Sequence, residues 1–267
     1  MTARPTILVF DSGLGGLTVF REIAKARPDA RLIYAADDAV FPYGRQEEPA
    51  LIGRVLDVIG ELVAKHQPDL VVIACNTAST LVLTHLREKF EVPFVGTVPA
   101  IKPACLASKT KLVTVLGTEA TVKREYTRKL IAEHGNGCAV ALVGSPHLAE
   151  IAEADLKGET VAETDIAAEI APCFVEANGQ RTDTVVLACT HYPLILPSFQ
   201  KLAPWPVAFI DPAPAIARRV TDLLGPVAAA GLAGPARAIF TSGRPPNAIL
   251  TAALQRFGIG ADAPAGV

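Results

Sequence analysis

The sequence predicts an α/β protein built as two doubly wound parallel-sheet lobes related by pseudo-symmetry, with the active site in the cleft between them. Three observations lead to that expectation. Short continuous apolar runs alternate with longer segments of helical period, the pattern of strands buried on both faces by covering helices. The strand–helix order runs through one series and then starts again. One phrase also occurs twice, DLVVIACNT at 69–77 and DTVVLACTH at 183–191, so each series holds an apolar strand that ends on a cysteine. Ligands of open parallel sheets bind just past the carboxyl ends of the strands, which makes Cys75 and Cys189 the first candidates for chemistry.

Taken in order, Thr6 to Phe10 (TILVF) reads as a strand, followed by Asp11, Ser12 and a glycine-rich turn through Gly16. Glycines allow close approach to bare backbone, and the helix expected to about Ala26 presents an N-terminus that favours a small carboxylate. The spacing is neither G-x-G-x-x-G nor G-K-[ST], which argues against a dinucleotide or P-loop site. Arg31 to Ala35 is a second strand, leading into a Pro- and Gly-punctuated loop that carries Asp37, Tyr43 and Gly44. A helical segment at 54–65 precedes the third strand, with Cys75, Asn76 and Thr77 at its tip, a helix to about Phe90 and a short strand within 92–100.

The second series begins with a strand at 112–116, a turn at 117–121 and a helix to about Glu133. A strand at 139–143 and helices at 148–155 and 159–177 lead to the strand 185–188, tipped by Cys189, Thr190 and His191. A strand at 207–210 follows, then a helix with Asp211 as N-cap and Pro212 at its first position. A last strand near 239–243 and a short helix precede an Ala/Gly/Pro tail expected to fray. The expected division is a first lobe of 1–97 plus 208–267 and a second of 98–207.

Composition narrows the function class. At 267 residues, 50% of them apolar, the chain needs no disulfide or metal staple, since a chain of this size buries roughly 70–75% of its extended surface. A net charge of −2 without a basic stripe argues against a nucleic-acid partner. No apolar run is long enough to span a membrane, and the stretch 227–233 is short and broken by glycine. Five cysteines without a C-x-x-C pair or an exporting segment fit free thiols in a reducing cytoplasm.

A free cysteine ionises near pH 8.5 and needs help to act as a base. The helpers in view are Asp11 at the first strand tip, His191 two residues beyond Cys189, and Glu153 from a neighbouring helix. Ser12, Tyr43, Gly44, Asn76, Thr77, Thr118, Thr121 and Thr190 supply polar groups at the same strand ends, suited to an amino acid. Cys105, Cys138 and Cys173 lack such a context and read as small buried hydrophobes, and His66, His85, His134 and His147 belong to no motif. The Cys and His spacing disfavours a metal site. Two thiols across a small carboxylate-binding cleft suit a two-sided proton transfer, in which one removes a proton from carbon and the other delivers a proton to the opposite face.

The segments FDSGLGGLTV (10–19), PYG (42–44), ACNTAST (74–80), GTEAT (117–121), ACTHYPLI (188–195) and DPA (211–213) together resemble glutamate racemases of the cofactor-independent aspartate/glutamate racemase superfamily. The resemblance implies a cytoplasmic isomerase that interconverts L- and D-glutamate without a cofactor and supplies D-glutamate for peptidoglycan. It also implies that Cys75 deprotonates D-glutamate and Cys189 L-glutamate, with Asp11, His191 and Glu153 assisting. Asp11, Ser12, Asp37, Tyr43, Gly44, Asn76, Thr77, Thr190 and His191 match substrate-contacting positions or their neighbours. Leu14, Thr18, Arg124 and Ser145 depart from the family's commoner residues. A homodimer is a candidate assembly, and parts of the family also bind a partner such as gyrase, which nothing in this sequence addresses. Rival readings are an aspartate or broad-specificity racemase, a non-catalytic binding protein on the same fold, and a thiol–disulfide enzyme, which lacks its resolving cysteine.

Overall fold

The computed structural model describes residues 4–227 and 234–260; most of the glycine-broken stretch and the C-terminal tail lie outside the described residues. The first half runs β1 (Thr6–Asp11), α1 (Leu17–Ala26), β2 (Arg31–Ala36), α2 (Glu48–His66), β3 (Leu70–Ile73), α3 (Asn76–Lys89), β4 (Phe94–Gly96) and α4 (Ile101–Ala107). The second continues with β5 (Leu112–Thr118), α5 (Glu119–Lys123), α6 (Glu125–His134), β6 (Ala139–Ser145), α7 (Leu148–Leu156) and α8 (Glu163–Ile170). The hairpin strands β7 (Glu176–Ala177) and β8 (Gln180–Arg181) come next, then β9 (Thr184–Ala188), α9 (Leu196–Leu202), β10 (Ala208–Ile210) and α10 (Ala213–Leu224). The chain closes with β11 (Arg237–Phe240) and α11 (Ala248–Arg256).

Two parallel sheets result, ordered β11-β2-β1-β3-β4 and β10-β9-β5-β6. Stripped of β11, the first is built in the order second–first–third–fourth strand, and so is the second when β5, β6, β9 and β10 are counted alike. Pseudo-symmetry is thus a matter of topology as well as of sequence. It pairs β3 with β9, the strands that carry the repeated phrase. Helices cover both faces of each sheet. One face of the first sheet packs residues of α1, α10 and α11, the other residues of α2 and α3. Burial on both faces is why the strands read as unbroken apolar runs rather than alternating ones.

The C-terminal segment returns to the first lobe, where β11 pairs in parallel with β2. The return comes later than the expected boundary at 208, because β10 extends the second sheet by pairing with β9. The helix expected over 159–177 stops at Ile170, since Pro172 follows in a single 3₁₀ turn. Beyond it Asn178 (φ 53°) and Gly179 (φ 73°) form the two-residue turn of the β7–β8 hairpin. An Asn-Gly pair is a strong hairpin signal because both positions take positive φ at small cost. The helix expected through 121–133 is broken at Arg124, whose ψ of 141° is extended.

Among the described residues no helix is long and apolar enough to cross a membrane. No three of their His, Cys, Asp or Glu side chains are grouped as metal ligands.

Candidate active site

In each sheet the chain leaves the central strand first to one side and later to the other, so a crevice opens at the carboxyl ends of β1/β3 and of β5/β9. Ser12 and Cys75 sit at the first crevice, Thr118 and Cys189 at the second. The two crevices meet over one small cavity. Its first-lobe wall is Ser12, Phe41, Pro42, Tyr43, Gly44, Cys75, Asn76 and Thr77; its second-lobe wall is Thr118, Ala149, Cys189, Thr190 and His191. Both thiols are enclosed, Cys75 at 5% and Cys189 at 6% exposure. The Asn76 side chain is the polar feature of this wall: its Oδ1 and Nδ2 are buried without a hydrogen-bond partner.

The glycine-rich turn after β1 serves a purpose other than the expected one. None of Gly13, Gly15 and Gly16 has positive φ, so turn geometry does not require them. They make room for side chains. A Cβ on Gly15 would lie 2.3 Å from His191 Nδ1, one on Gly13 2.4 Å from Glu153 Oε2, and one on Gly16 2.6 Å from Asp11 Cβ. The anion at this turn is the protein's own, for Leu14 N–H, ahead of α1, donates to Glu153 Oε2 at 3.1 Å. Gly13 N–H likewise donates to Asp11 Oδ2 at 3.1 Å.

Cys189 heads a chain of charged partners. Its Sγ lies 3.8 Å from His191 Nδ1, and His191 Nε2 lies 2.9 Å from Glu153 Oε2. Lys157 Nζ donates to the other oxygen, Glu153 Oε1, at 2.8 Å. Burial works against charge on both His191 and Glu153, but their mutual contact outweighs it. Glu153 is held down at about 2, with Lys157 adding to the effect of His191. His191 is raised well above its ordinary value by its hydrogen bonds to Cys189 and Glu153. The Gly15 N–H lies 3.1 Å from the same Nε2, so the contacts alternate with ring protonation. A neutral Nε2 accepts from Gly15, whereas a protonated one donates to Glu153. Phe41 packs its ring 5.3 Å from the imidazole and fixes its plane from the first lobe.

Cys75 has no such chain. Burial first, and the nearby Asp11 carboxylate second, push its thiol up to about 12. It donates toward Ser12 Oγ at 3.6 Å, as a neutral thiol does. Asp11 is fully buried and does not line the cavity; it accepts from Thr190 Oγ1 at 3.2 Å. Burial raises its pKa, favouring the neutral acid.

Of the residues expected to contact substrate, Ser12, Tyr43, Gly44, Asn76, Thr77, Thr118, Thr190 and His191 line the cavity with the two thiols. Asp37 lies behind the wall and holds Tyr43. Its carboxylate accepts from Tyr43 Oη at 2.6 Å, from Arg54 Nη2 at 2.6 Å and Nε at 3.0 Å, and from Thr241 Oγ1 at 2.6 Å. Thr121 also stands behind the wall, 3.2 Å from Thr77 Oγ1 and 2.9 Å from Thr118 Oγ1, in a hydroxyl triad that joins the lobes. Glu153 contacts His191 from outside the cavity. Sequence reasoning missed Phe41 and Lys157; the second was findable as the residue four positions after Glu153 on a helix.

Comparison with known proteins agrees with this geometry. Residues 11–220 match the family model for Asp/Glu/hydantoin racemases. The chain is 51% identical to the glutamate racemase of Brucella canis, covering 96% of each chain. It is 56% identical to that of Brucella anthropi, covering 84% of this chain and 81% of the other. Its structure resembles that of Escherichia coli glutamate racemase in complex with L-glutamate and the activator UDP-MurNAc-Ala, with a TM-score of 0.87. That match has 41% identity and covers 96% of both chains.

Proposed function

The chain belongs to the Asp/Glu/hydantoin racemase family, and from that premise we propose that it interconverts L- and D-glutamate by two-base proton transfer between Cys75 and Cys189, without a cofactor. Membership makes it an isomerase. The choice of glutamate follows its 51%-identical relative and the E. coli structure with L-glutamate. We assign it the supply of D-glutamate for peptidoglycan in the cytoplasm.

One observation carries the mechanism. Topologically equivalent positions in two pseudo-symmetric lobes place a thiol each on a single cavity. Substrate and product are mirror images at Cα, so a base is needed on each face. In the L-to-D direction the Cys189 thiolate takes the α-proton and the Cys75 thiol returns one from the opposite side. His191, charged by Glu153, lowers the cost of the Cys189 thiolate. Asn76, Thr77, Thr118 and the strand-tip backbone bind the carboxylates and stabilise charge as the proton leaves. Both sulfurs are nearly sealed from water, so entry requires the lobes to part and reaction requires them to close.

The test is racemisation of L-glutamate and, in parallel, L-aspartate by purified protein in D2O with no cofactor added. The expected result is turnover of glutamate with deuterium at Cα, abolished in Cys75→Ala and in Cys189→Ala while both variants remain folded. Complete retention of the original α-proton overturns the two-thiol mechanism. Faster turnover of aspartate overturns the substrate; the two differ by one methylene, which a pocket separates by only about 1–3 kcal/mol.

A further inference from the structure

Glu153 is 3% exposed, and its two oxygens have different partners. Oε2 accepts from Leu14 N–H and faces His191 Nε2, whereas the hydrogen bond to Oε1 comes from Lys157 Nζ at 2.8 Å. Lys157 follows the last turn of α7, four residues from Glu153, and is 37% exposed, reaching in from the surface. The chain Lys157–Glu153–His191–Cys189 therefore connects a surface cation to a buried sulfur through 2.8, 2.9 and 3.8 Å contacts.

We propose that Lys157 is a positioning residue for the racemisation: by pinning Oε1 it holds Glu153 oriented on His191, and so keeps the imidazole in place to support the Cys189 thiolate. Lys157 touches neither the cavity nor either sulfur. The proposal rests on the two-thiol reading above for its kinetic arm only. Other charged or titratable groups face Glu153 from the elements packed around it. Asp11 lies at the end of β1, the Tyr34 phenol on β2, and Asp38 and Arg244 border the cavity behind Glu153 that Lys157 also lines. Asp38 is occupied by Ser242, whose backbone N–H and hydroxyl both donate to it. Lys157 is the cation of this surface cavity that hydrogen-bonds the carboxylate, and an i, i+4 pair on a surface helix would otherwise be a minor stabiliser.

Removing an opposite charge at this distance raises a carboxyl by about 1–3 pH units. Ionised Glu153 is then lost at a higher pH as the medium is acidified, so the acid limb of kcat/KM moves toward neutrality. The experiment compares Lys157→Met, Lys157→Arg and Arg244→Gln in the full chain. It reads the pH profile of L-glutamate racemisation and the rates at which iodoacetamide alkylates Cys189 and Cys75. Lys157→Met is expected to lower kcat about tenfold with KM within about twofold, to shift the acid limb up by about one unit or more, and to slow Cys189 alkylation but not that of Cys75. Lys157→Arg restores the profile and the alkylation rate; Arg244→Gln leaves both unchanged. A folded Lys157→Met with parental acid limb and parental Cys189 alkylation overturns the proposal, as does an equal effect from Arg244→Gln. If the parent chain fails to racemise glutamate, the substrate assignment falls, while the alkylation arm still decides the role of Lys157.

Discussion

Replacing Gly15 by alanine tests whether the glycine-rich turn exists to receive the second lobe. The added Cβ would sit 2.3 Å from His191 Nδ1, 2.6 Å from its Cγ and 2.6 Å from its backbone N. Ordinary contacts begin near 3.4 Å, so something must move by most of an ångström. Rotating the imidazole relieves two of the clashes but not the one with the His191 backbone, which drags the Cys189–Thr190–His191 segment with it. Overpacking of this kind costs about 1–3 kcal/mol. A displacement of about 1 Å at a catalytic group costs on the order of 100-fold in rate. Gly15→Ala is therefore expected to lower the denaturation midpoint and to cut kcat about 100-fold. Gly53→Ala is the matched control: it lies on exposed α2 surface with nothing within 4 Å of the new Cβ. That variant should gain about 0.4–1 kcal/mol with unchanged activity. Parental kcat in Gly15→Ala would refute the reasoning, because it would mean that the turn and His191 do not interlock.

Three further outcomes follow from the same structure. Arg27 and Asp29, 2% and 1% exposed, form a two-pronged ion pair at 2.9 and 2.8 Å; Arg27→Met removes both of those hydrogen bonds from a buried carboxylate and should cost about 3–5 kcal/mol in urea unfolding. Glu153, lowered from 4.5 to about 2, contributes stability that is present above pH 4.5 and lost as pH falls toward 2, on the order of 3 kcal/mol. Glu153→Gln should flatten the acid side of the stability–pH curve in that window, and a curve parallel to the parent's would contradict the assignment. Tyr43→Phe removes one of the donors to the buried Asp37 without touching a sulfur, so unfolding should show a loss of about 1–2 kcal/mol with KM changed more than kcat.

The strands, their parallel pairing and the two cysteine-tipped strand ends were legible because each depends on local pattern. Apolar runs mark burial on both faces, and the repeated phrase marks equivalent strands of two lobes. What was not legible depends on contacts between segments far apart in the chain. The assignment of β10 to the second sheet rests on pairing with β9, which no feature of Ala208–Ile210 announces. Asp37 looked like a ligand because it shares a Pro- and Gly-punctuated loop with Tyr43 and Gly44, yet Arg54 and Thr241 arrive from elsewhere to engage it. The glycine turn looked like a cradle for a foreign carboxylate, and its occupant proved to be Glu153, 139 residues away in sequence. By contrast, the Asn178–Gly179 hairpin was readable from two letters and was missed under a helical reading of its flanks.

Symmetry in the fold and asymmetry in the charges meet at one point. L- and D-glutamate have equal free energies in water, so the enzyme's overall preference for either must vanish, and nothing in that requirement obliges the two thiols to have equal acidity. The structure gives them unequal surroundings: burial and Asp11 push the Cys75 thiol up to about 12, while Cys189 lies beside His191, which is backed by Glu153 and Lys157. On the two-thiol reading, the Cys189 thiolate that takes the α-proton of the L-enantiomer forms beside a cation. Each L-to-D turnover leaves the reverse, a thiol at Cys189 and a thiolate at Cys75 beside Asp11. Burial favours the neutral form of Asp11, and a neutral Asp11 removes the repulsion that would otherwise oppose that thiolate. On that reading Asp11, outside the cavity and bonded to Thr190 of the second lobe, tunes the Cys75 side of a reaction that His191 and Glu153 tune on the other.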